Sequence, residues 1–462
     1  MAVYGRWLVL ACVVIACAAA DVVAQAPIAL SPVGQSPAGQ SSAGQQPEVP
    51  PASNIAQRPL TGPFDQLNVS LDLLFAIGGS SEREPQLLEL QGGEHDPRKR
   101  GLTVQQAELQ FNGAVDNWFT AQTVLVAFLD PEGETVVELE EAYLQTSNLP
   151  HRLQARVGHY FTEFGRINSL HPHAWDWQNQ PVIMSRVFGA EGMRAPGARL
   201  SWLAPTHSYL EFFVAGQNAN GETMTSFRSS DEAYGERPIG GRLFGDASAD
   251  ARAGNDVVWS GRVAATFELD EQAAFGLGAS VAFGPNATGD GQQTVISGVD
   301  FAYQWRPVNA QPGSGFVRVQ GEYLHRSFET AGQVDGNAPG DPVLAATTLQ
   351  DHGGYMYALV GWDNGFAAGL RCDYATGSGD SYLGGGNFAR KGDAFRTDRL
   401  RISPLVQYQV SPFTRMRLQY DYDDSDHLSG AAHGVWLGFE VMLGAQPQAR
   451  VGRDSLSGCS CH

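Results

Sequence analysis

Between residues 102 and 115 the chain reads LTVQQAELQFNGAV, with apolar side chains at alternate positions along its middle. Ala107, Leu109 and Phe111 share one face; Gln106, Glu108, Gln110 and Asn112 share the other. This is the period of two expected of a β-strand with one apolar and one polar side. The pattern recurs in LNVSLDLLFAI, where Val69, Leu71, Leu73, Phe75 and Ile77 oppose Asn68, Ser70 and Asp72. In TRMRLQYDYD, Met416, Leu418, Tyr420 and Tyr422 oppose Arg415, Arg417, Gln419 and Asp421; in HGVWLGFEVML, Val435, Leu437, Phe439, Val441 and Leu443 form an apolar face.

About sixteen such segments are predicted, with fourteen or eighteen as alternatives, near 67–77, 102–115, 117–129, 134–147, 151–161, 196–204, 207–217, 257–270, 273–284, 294–306, 314–328, 352–363, 365–376, 399–410, 413–424 and 432–443. Their connections mostly alternate in length. DN, NLP, PT, DEQ and SP are tight turns, whereas 78–101, 162–195, 218–256, 329–351 and 377–398 are long. An even number of strands of about ten residues, with short turns at one end and long loops at the other, predicts an all-β fold: a transmembrane antiparallel β-barrel of the outer-membrane kind. Aromatic residues near strand ends, Trp118, Tyr209, Trp259, Tyr303 and Tyr422, suit its interfacial girdles. Closure pairs every strand edge, which a lipid environment demands.

Composition adds bounds. Arg6 followed by WLVLACVVIACAAA reads as a signal peptide over 1–24 cleaved after Ala24, with a lipoprotein signal ending at Cys17 as the alternative. Residues 25–63 are rich in Pro, Gly, Ser and Gln, a composition that cannot bury enough apolar surface to order itself, so a disordered linker is predicted there. The barrel is assigned to 64–445 and a tail to 446–462. Of the five cysteines, Cys12 and Cys17 fall in the signal, Cys372 stands alone in a strand, and Cys459 and Cys461 lie in the tail, which is no disulfide framework. A formal charge of −19 excludes the basic footprint of a nucleic-acid binder.

A barrel of sixteen strands is too wide for wall side chains alone to fill, so an aqueous lumen is expected. The predicted inner face carries Arg152, Arg156, Arg262, Arg318, Arg399, Arg401, Arg415 and Arg417 beside Glu108, Glu140, Glu268, Glu322 and Asp421. Opposed charges across a lumen sort small solutes by dipole and charge. The plainer reading is a set of hydrogen-bonded ladders that stiffen the wall.

The runs GGEHDPRKRGLTVQQAELQFNGAVDNWFTAQTVL and VELEEAYLQTSNLPHRLQARVGHYFTEFGRINSLHPHAWDWQNQPVIMSRVFGAEGMRAPGARLSWLAP resemble a family of Gram-negative outer-membrane barrels. Its members are often labelled zinc-regulated or TonB-dependent outer-membrane receptors, and the architecture is similar to that of the phosphate-selective porins. The resemblance covers about residues 91–218 and is densest in FTEFGR and HPHAWD. The chain departs from both labels. No plug-like sequence precedes the first strand, and only two lysines, Lys99 and Lys391, are present where a phosphate porin would carry a lysine-rich selectivity region.

The expected function is a porin-like channel for passive diffusion of small hydrophilic solutes, with no enzymatic chemistry and no cofactor. Its expected partners are outer-membrane lipids and solutes; a homotrimer is common in similar architectures, but no sequence feature marks an interface. The alternatives are a receptor-like barrel for a metal or metal chelate, and an adhesin or structural barrel acting through its loops. A barrel hydrolase lacks a G-x-S-x-G signal.

The segment 162–195 is the third external loop, and the resemblance to sixteen-stranded porins implies that it folds inward and constricts the pore. Trp175, Trp177 and Phe188 supply wall contacts; Arg166, Arg186, Glu191 and Arg194 supply charges for pairing. His171, His173 and Asp176 have the donor types of a zinc site, but hydrogen-bonded structural histidines are the favoured reading, and Pro172 makes the local backbone extended.

Overall fold

In the computed structural model, residues 67–244, 256–310, 313–383 and 386–444 are described. The expected signal peptide, linker and tail, with Cys12, Cys17, Cys459 and Cys461, lie outside the described residues.

The period-two segments become strands. The first eight are β1 (Leu67–Ser80), β2 (Gly101–Ala114), β3 (Phe119–Leu129), β4 (Thr135–Thr146), β5 (Leu153–Phe161), β6 (Arg194–Leu203), β7 (Tyr209–Asn218) and β8 (Val257–Glu268). Next come β9 (Ala273–Pro285), β10 (Gln293–Trp305) and β11 (Phe316–Thr330). Two short strands, β12 (Gln333–Val334) and β13 (Val343–Leu344), pair within one loop, and β16 (Ser381–Leu383) and β17 (Gly386–Phe388) pair within another. Between and after them run β14 (Thr347–Gly361), β15 (Phe366–Ser378), β18 (Arg399–Ser411), β19 (Thr414–Ser425) and β20 (Ala432–Gly444). Leaving out the two loop pairs, the strands form one closed antiparallel barrel of sixteen. Closure is made by β1 on β20, in register from Ser70 opposite Gly444 to Ser80 opposite Gly434.

The two faces are chemically opposite. Outward residues include Val137, Leu139, Val157, Leu200, Val214, Val281, Val299 and Leu418, all exposed. Trp118, Phe267, Trp362, Phe366 and Phe413 ring the tight-turn end, and Trp259 stands opposite Phe283 toward the other end. An apolar band flanked by aromatics is the exterior of a membrane-spanning barrel. No helix among the described residues is long and apolar enough to cross a membrane.

The turns are closed by local chemistry. Asp116 Oδ1 accepts from the amides of Trp118 and Phe119, and Asp270 Oδ1 accepts from those of Gln272 and Ala273. These Asx turns supply acceptors for amides that leave the ladder, so short connections suffice.

The alternation breaks in β4. Val124 of β3 faces Glu141, and the next residue, Leu125, faces Leu139, so Glu140 is an extra residue in β4. At this β-bulge Glu140 and Glu141 are both buried in the interior.

Two residues assigned to the inner wall stand at its rim, and one assigned to the loop stands on a strand. Glu268 stands exposed as the last paired residue at the turn end of β8, opposite Ala274, and Arg152 is exposed in the turn before β5 at φ +60°. Arg194, expected in the loop, is the first residue of β6.

Candidate functional site

The connection 162–193 leaves β5, enters the barrel and returns to β6. Its sequence dictates this: apolar residues too numerous for an external loop alternate with groups that need partners on the wall. Phe164, Ile183, Met184 and Val187 are fully buried, Trp177 and Phe188 are 2% exposed, and they pack on Leu359, Ala367 and Leu405 of the inner wall. Each such side chain contributes about 1.5–3 kcal/mol when wholly removed from water. The helix Val182–Phe188 is buried on every side, with Pro181 before it and Gly189 after it at φ +83°.

Polar groups fix the loop at several points around the lumen. The amide of Gly165 donates to Ser280 Oγ on β9 at 3.1 Å, and that of Ile167 to Glu322 Oε1 on β11 at 2.9 Å. Arg166 pairs with Asp300 on β10 at 2.8 Å. Asp176 meets Arg318 on β11 and the Tyr357 hydroxyl on β14, each at 2.8 Å. Burial alone would raise the Asp176 pKa, but Arg318 and Arg415 outweigh it and hold it below the ordinary value. Trp177 Nε1 donates to the Ser403 carbonyl on β18 at 2.9 Å, and the Val182 amide to Asp373 on β15 at 3.1 Å.

On the far wall, Arg415 donates to the carbonyls of His173 and Trp175, both at 3.0 Å, and Arg417 to those of Trp175 and Trp177 at 3.1 and 3.2 Å. Arg186 donates to the carbonyls of Thr376, Arg396 and Thr397. The loop 81–100 braces the same segment from above: Asp96 accepts from the Gln180 amide at 2.7 Å, and Gln91 from Asn179 Nδ2 at 3.1 Å.

Other charges of the interior are paired, wall with wall and wall with loop. Arg262 binds Asp300, Arg326 and Arg396 bind Asp351, Arg399 and Arg401 bind Asp423, Arg415 and Arg417 bind Glu440, and Arg156 and Arg199 reach Glu163. Pairing of this kind offsets the cost of removing charges from water.

The two histidines reach the wall of β2 and β4. His171 Nδ1 lies 2.8 Å from Glu140 and 3.4 Å from Glu108, and its Nε2 lies 3.3 Å from Glu141. His173 Nδ1 lies 3.0 Å from Glu108, and the two imidazole rings stack with centroids 5.7 Å apart. Burial alone would lower the His171 pKa, but the carboxylates of Glu140 and Glu108 hold it well above the ordinary value. Glu191 and Arg194 pair at the loop's exit, where Arg194 also binds Glu138 at 2.8 Å. Burial, with Glu138 and Glu94 adding repulsion, pushes the Glu191 carboxyl up to about 8 despite Arg194.

Asp176, grouped with the histidines by its nearness in sequence, is drawn instead to Arg318 and Tyr357. The carboxylates that gather at His171 come from strands thirty or more positions earlier in the chain. Glu141 is the member that alternation hides. The phase of the apolar positions gives a signal for it: Val137 and Leu139 face outward and are followed by Ala142 and Leu144, a shift of one that marks the bulge.

The sixteen-stranded closed sheet, apolar outside and filled inside by its own loop and paired charges, defines an outer-membrane type of β-barrel. No protein-family model matches the chain. An uncharacterized protein of Aquifex aeolicus is 34% identical over 180 residues, a match spanning 36% of this chain and 37% of that protein. Among solved structures, the outer-membrane channel DcaP of Acinetobacter baumannii is similar at TM-score 0.47 and 13% identity, over 82% of this chain and 97% of that one. OmpF of Salmonella typhi, in complex with daunomycin, gives 0.45 and 14% over 82% and 97%, and an anion-selective porin of Comamonas acidovorans gives 0.45 and 9% over 82% and 98%. The fold assignment rests on the chain's own strand topology. The TonB-dependent label suggested by sequence resemblance finds no support: the barrel has sixteen strands where such a receptor would have more.

Proposed function

We propose that the chain is an outer-membrane channel of porin type for small hydrophilic solutes, narrowed by the loop 162–193. The observation that carries this reading is the loop's placement: between two adjacent strands it touches β9, β10, β11, β14, β15, β18 and β19, and so crosses the lumen. On the side of the helix Val182–Phe188 the contact is dry, with Ile183, Met184 and Val187 at 0% exposure. Solvent reaches the other side, where the side chains of His171, His173 and Arg318 are 13%, 14% and 20% exposed. Solute passage is therefore assigned to the histidine side, between carboxylates and the exposed edge of Arg318. Arrangement as a homotrimer in lipid accompanies the reading, which involves no chemical conversion of the solute.

The test is single-channel conductance in a planar bilayer for the wild type and for a variant lacking 171–180. A low wild-type conductance that rises severalfold on deletion is expected. Equal conductances, in two barrels both shown to be folded by heat-modifiable migration, would overturn the constriction; no conductance from either would overturn the channel.

A further inference from the structure

Inside the barrel, three carboxylates meet two imidazoles on the wall of β2 and β4. We infer that Glu108, Glu140 and His171 form a binding site for one divalent transition metal of the zinc class. A donor atom each from Glu108, Glu140 and His171 lies within 4.8 Å of the others. A tetrahedral zinc ion with bonds of about 2.0–2.2 Å sets its donors roughly 3.3–3.6 Å apart. His171 Nδ1 is already 3.4 Å from Glu108 and needs to draw back from Glu140, now 2.8 Å away, by about half an ångström to reach that spacing. His173 Nδ1, 3.0 Å from the same Glu108 oxygen, stands outside this set and bonds to Glu108 alone among the three, so the protein supplies three donors and the fourth position stays open, as zinc allows.

The surroundings supply what a metal site needs beyond its ligands. A metal-bound imidazole usually donates its second N–H to a carboxylate, which fixes the ring and strengthens the donor. Glu141 stands in that position, 3.3 Å from His171 Nε2. The β-bulge has a chemical consequence here: it turns two consecutive glutamates inward, one to bind the ion and one to orient the histidine.

Gln106, fully buried, donates through Nε2 to Glu108, while its Oε1 has no hydrogen-bond partner among the described residues. An unsatisfied buried acceptor beside the cluster is a second observation that points to a cation. The His173 carbonyl is held by Arg415 at 3.0 Å, so the loop presents its imidazoles from a fixed backbone. Mixed imidazole and carboxylate donors suit zinc, whereas calcium and magnesium favour oxygen alone. A bound ion would join β2, β4 and the loop at one point. That this braces the constriction rests on the channel reading; the binding itself does not.

The experiment uses the full chain, folded in detergent and stripped with a chelator. Cobalt(II) is the probe, because a tetrahedral site gives it an intense visible absorption that zinc then displaces. One ion per barrel is expected, with affinity reduced at least tenfold in His171→Ala and in Glu140→Gln and unchanged in His207→Ala, an exposed turn histidine. Absence of saturable binding, or equal affinity in the wild type and both site variants, would overturn the site. Should those variants fail to fold, zinc X-ray absorption on the wild type decides: a mixed imidazole and carboxylate shell at about 2.0–2.2 Å supports the site, and a six-oxygen shell refutes it. Because the readout is binding in detergent, a barrel that binds without conducting refutes only the channel, and one that conducts without binding refutes only the site.

Discussion

Glu140 and Glu141 are consecutive in β4, yet both side chains are buried inside the barrel, within 2.8 and 3.3 Å of opposite nitrogens of one imidazole, His171. Regular strand geometry would send one of them into lipid. The extra residue at the bulge removes that conflict and sets the phase of the rest of the strand, so Tyr143 and Gln145 also face inward.

Deleting Glu140 should therefore leave an assembled barrel. Without it Leu139 faces out, Glu141 faces in, and every later residue keeps its side, at the loss of one carboxylate from His171. Deleting Ala142 should be far more harmful, because it brings Glu141 and Tyr143 together and adds a second phase error in the same strand. Heat-modifiable migration of the two variants checks this; equal folding yields would show that the bulge does not set the phase.

Asp176 is the sole acidic residue between Glu163 and Glu191, and it holds the loop to two strands. Asp176→Ala strips Arg318 and the Tyr357 hydroxyl of a shared acceptor, a loss of about 1–3 kcal/mol for buried groups left unpaired. Asp176→Asn keeps one acceptor and should lose less. Thermal unfolding in detergent should give the order wild type, Asn, Ala, and single-channel conductance should rise in the reverse order of stability.

The strands were legible because period-two alternation is a local property: Ala107, Leu109 and Phe111 show their common face without knowledge of any partner. The inward path of the loop came only from the resemblance to sixteen-stranded porins; the residues themselves gave its anchors, since Trp175, Trp177 and Phe188 are the side chains it packs in the core. Its pairings were not legible. Asp176 looked like a companion of His171 and His173 at a distance of a few residues, but the chain turns between them, and the deciding partners, Arg318 and Tyr357, are more than 140 residues away. Glu141 was obscured for the opposite reason: its strand is local, but strict alternation places it on the wrong face until the phase shift at Glu140 is recognised.

Glu191 predicts a pH dependence. Its folded-state pKa, about 8, is above the ordinary carboxyl value of 4.5, so the folded barrel binds a proton that the unfolded chain releases. The stabilisation from this group is fully present below about pH 4.5 and is lost as pH rises through about 8. Glu191→Gln, which cannot ionise, should flatten that part of the profile. Unfolding midpoints at pH 6 and pH 9 should differ more in the wild type than in the variant; identical differences would remove Glu191 as the cause.

Gly165 offers a way to displace the loop without altering any of its charged or aromatic anchors. It sits at φ +61°, a conformation that side chains other than glycine rarely adopt, and a Cβ there would run into the Glu322 carboxylate. Its amide, with that of Ile167, holds the first leg of the loop to β9 and β11. Gly165→Ala should therefore push this leg off the wall and free the carboxylate that received Ile167. Conductance should rise toward that of the variant lacking 171–180, while the barrel strands, whose ladders do not involve residue 165, keep their heat-modifiable migration. Glycine at the neighbouring position 158 is the contrasting case. It lies in β5 at φ +139° against the backbone of Tyr143, so Gly158→Ala should impair assembly of the barrel itself. An alanine at 165 that leaves conductance unchanged in a folded barrel would show that the first leg of the loop does not set the width of the pore.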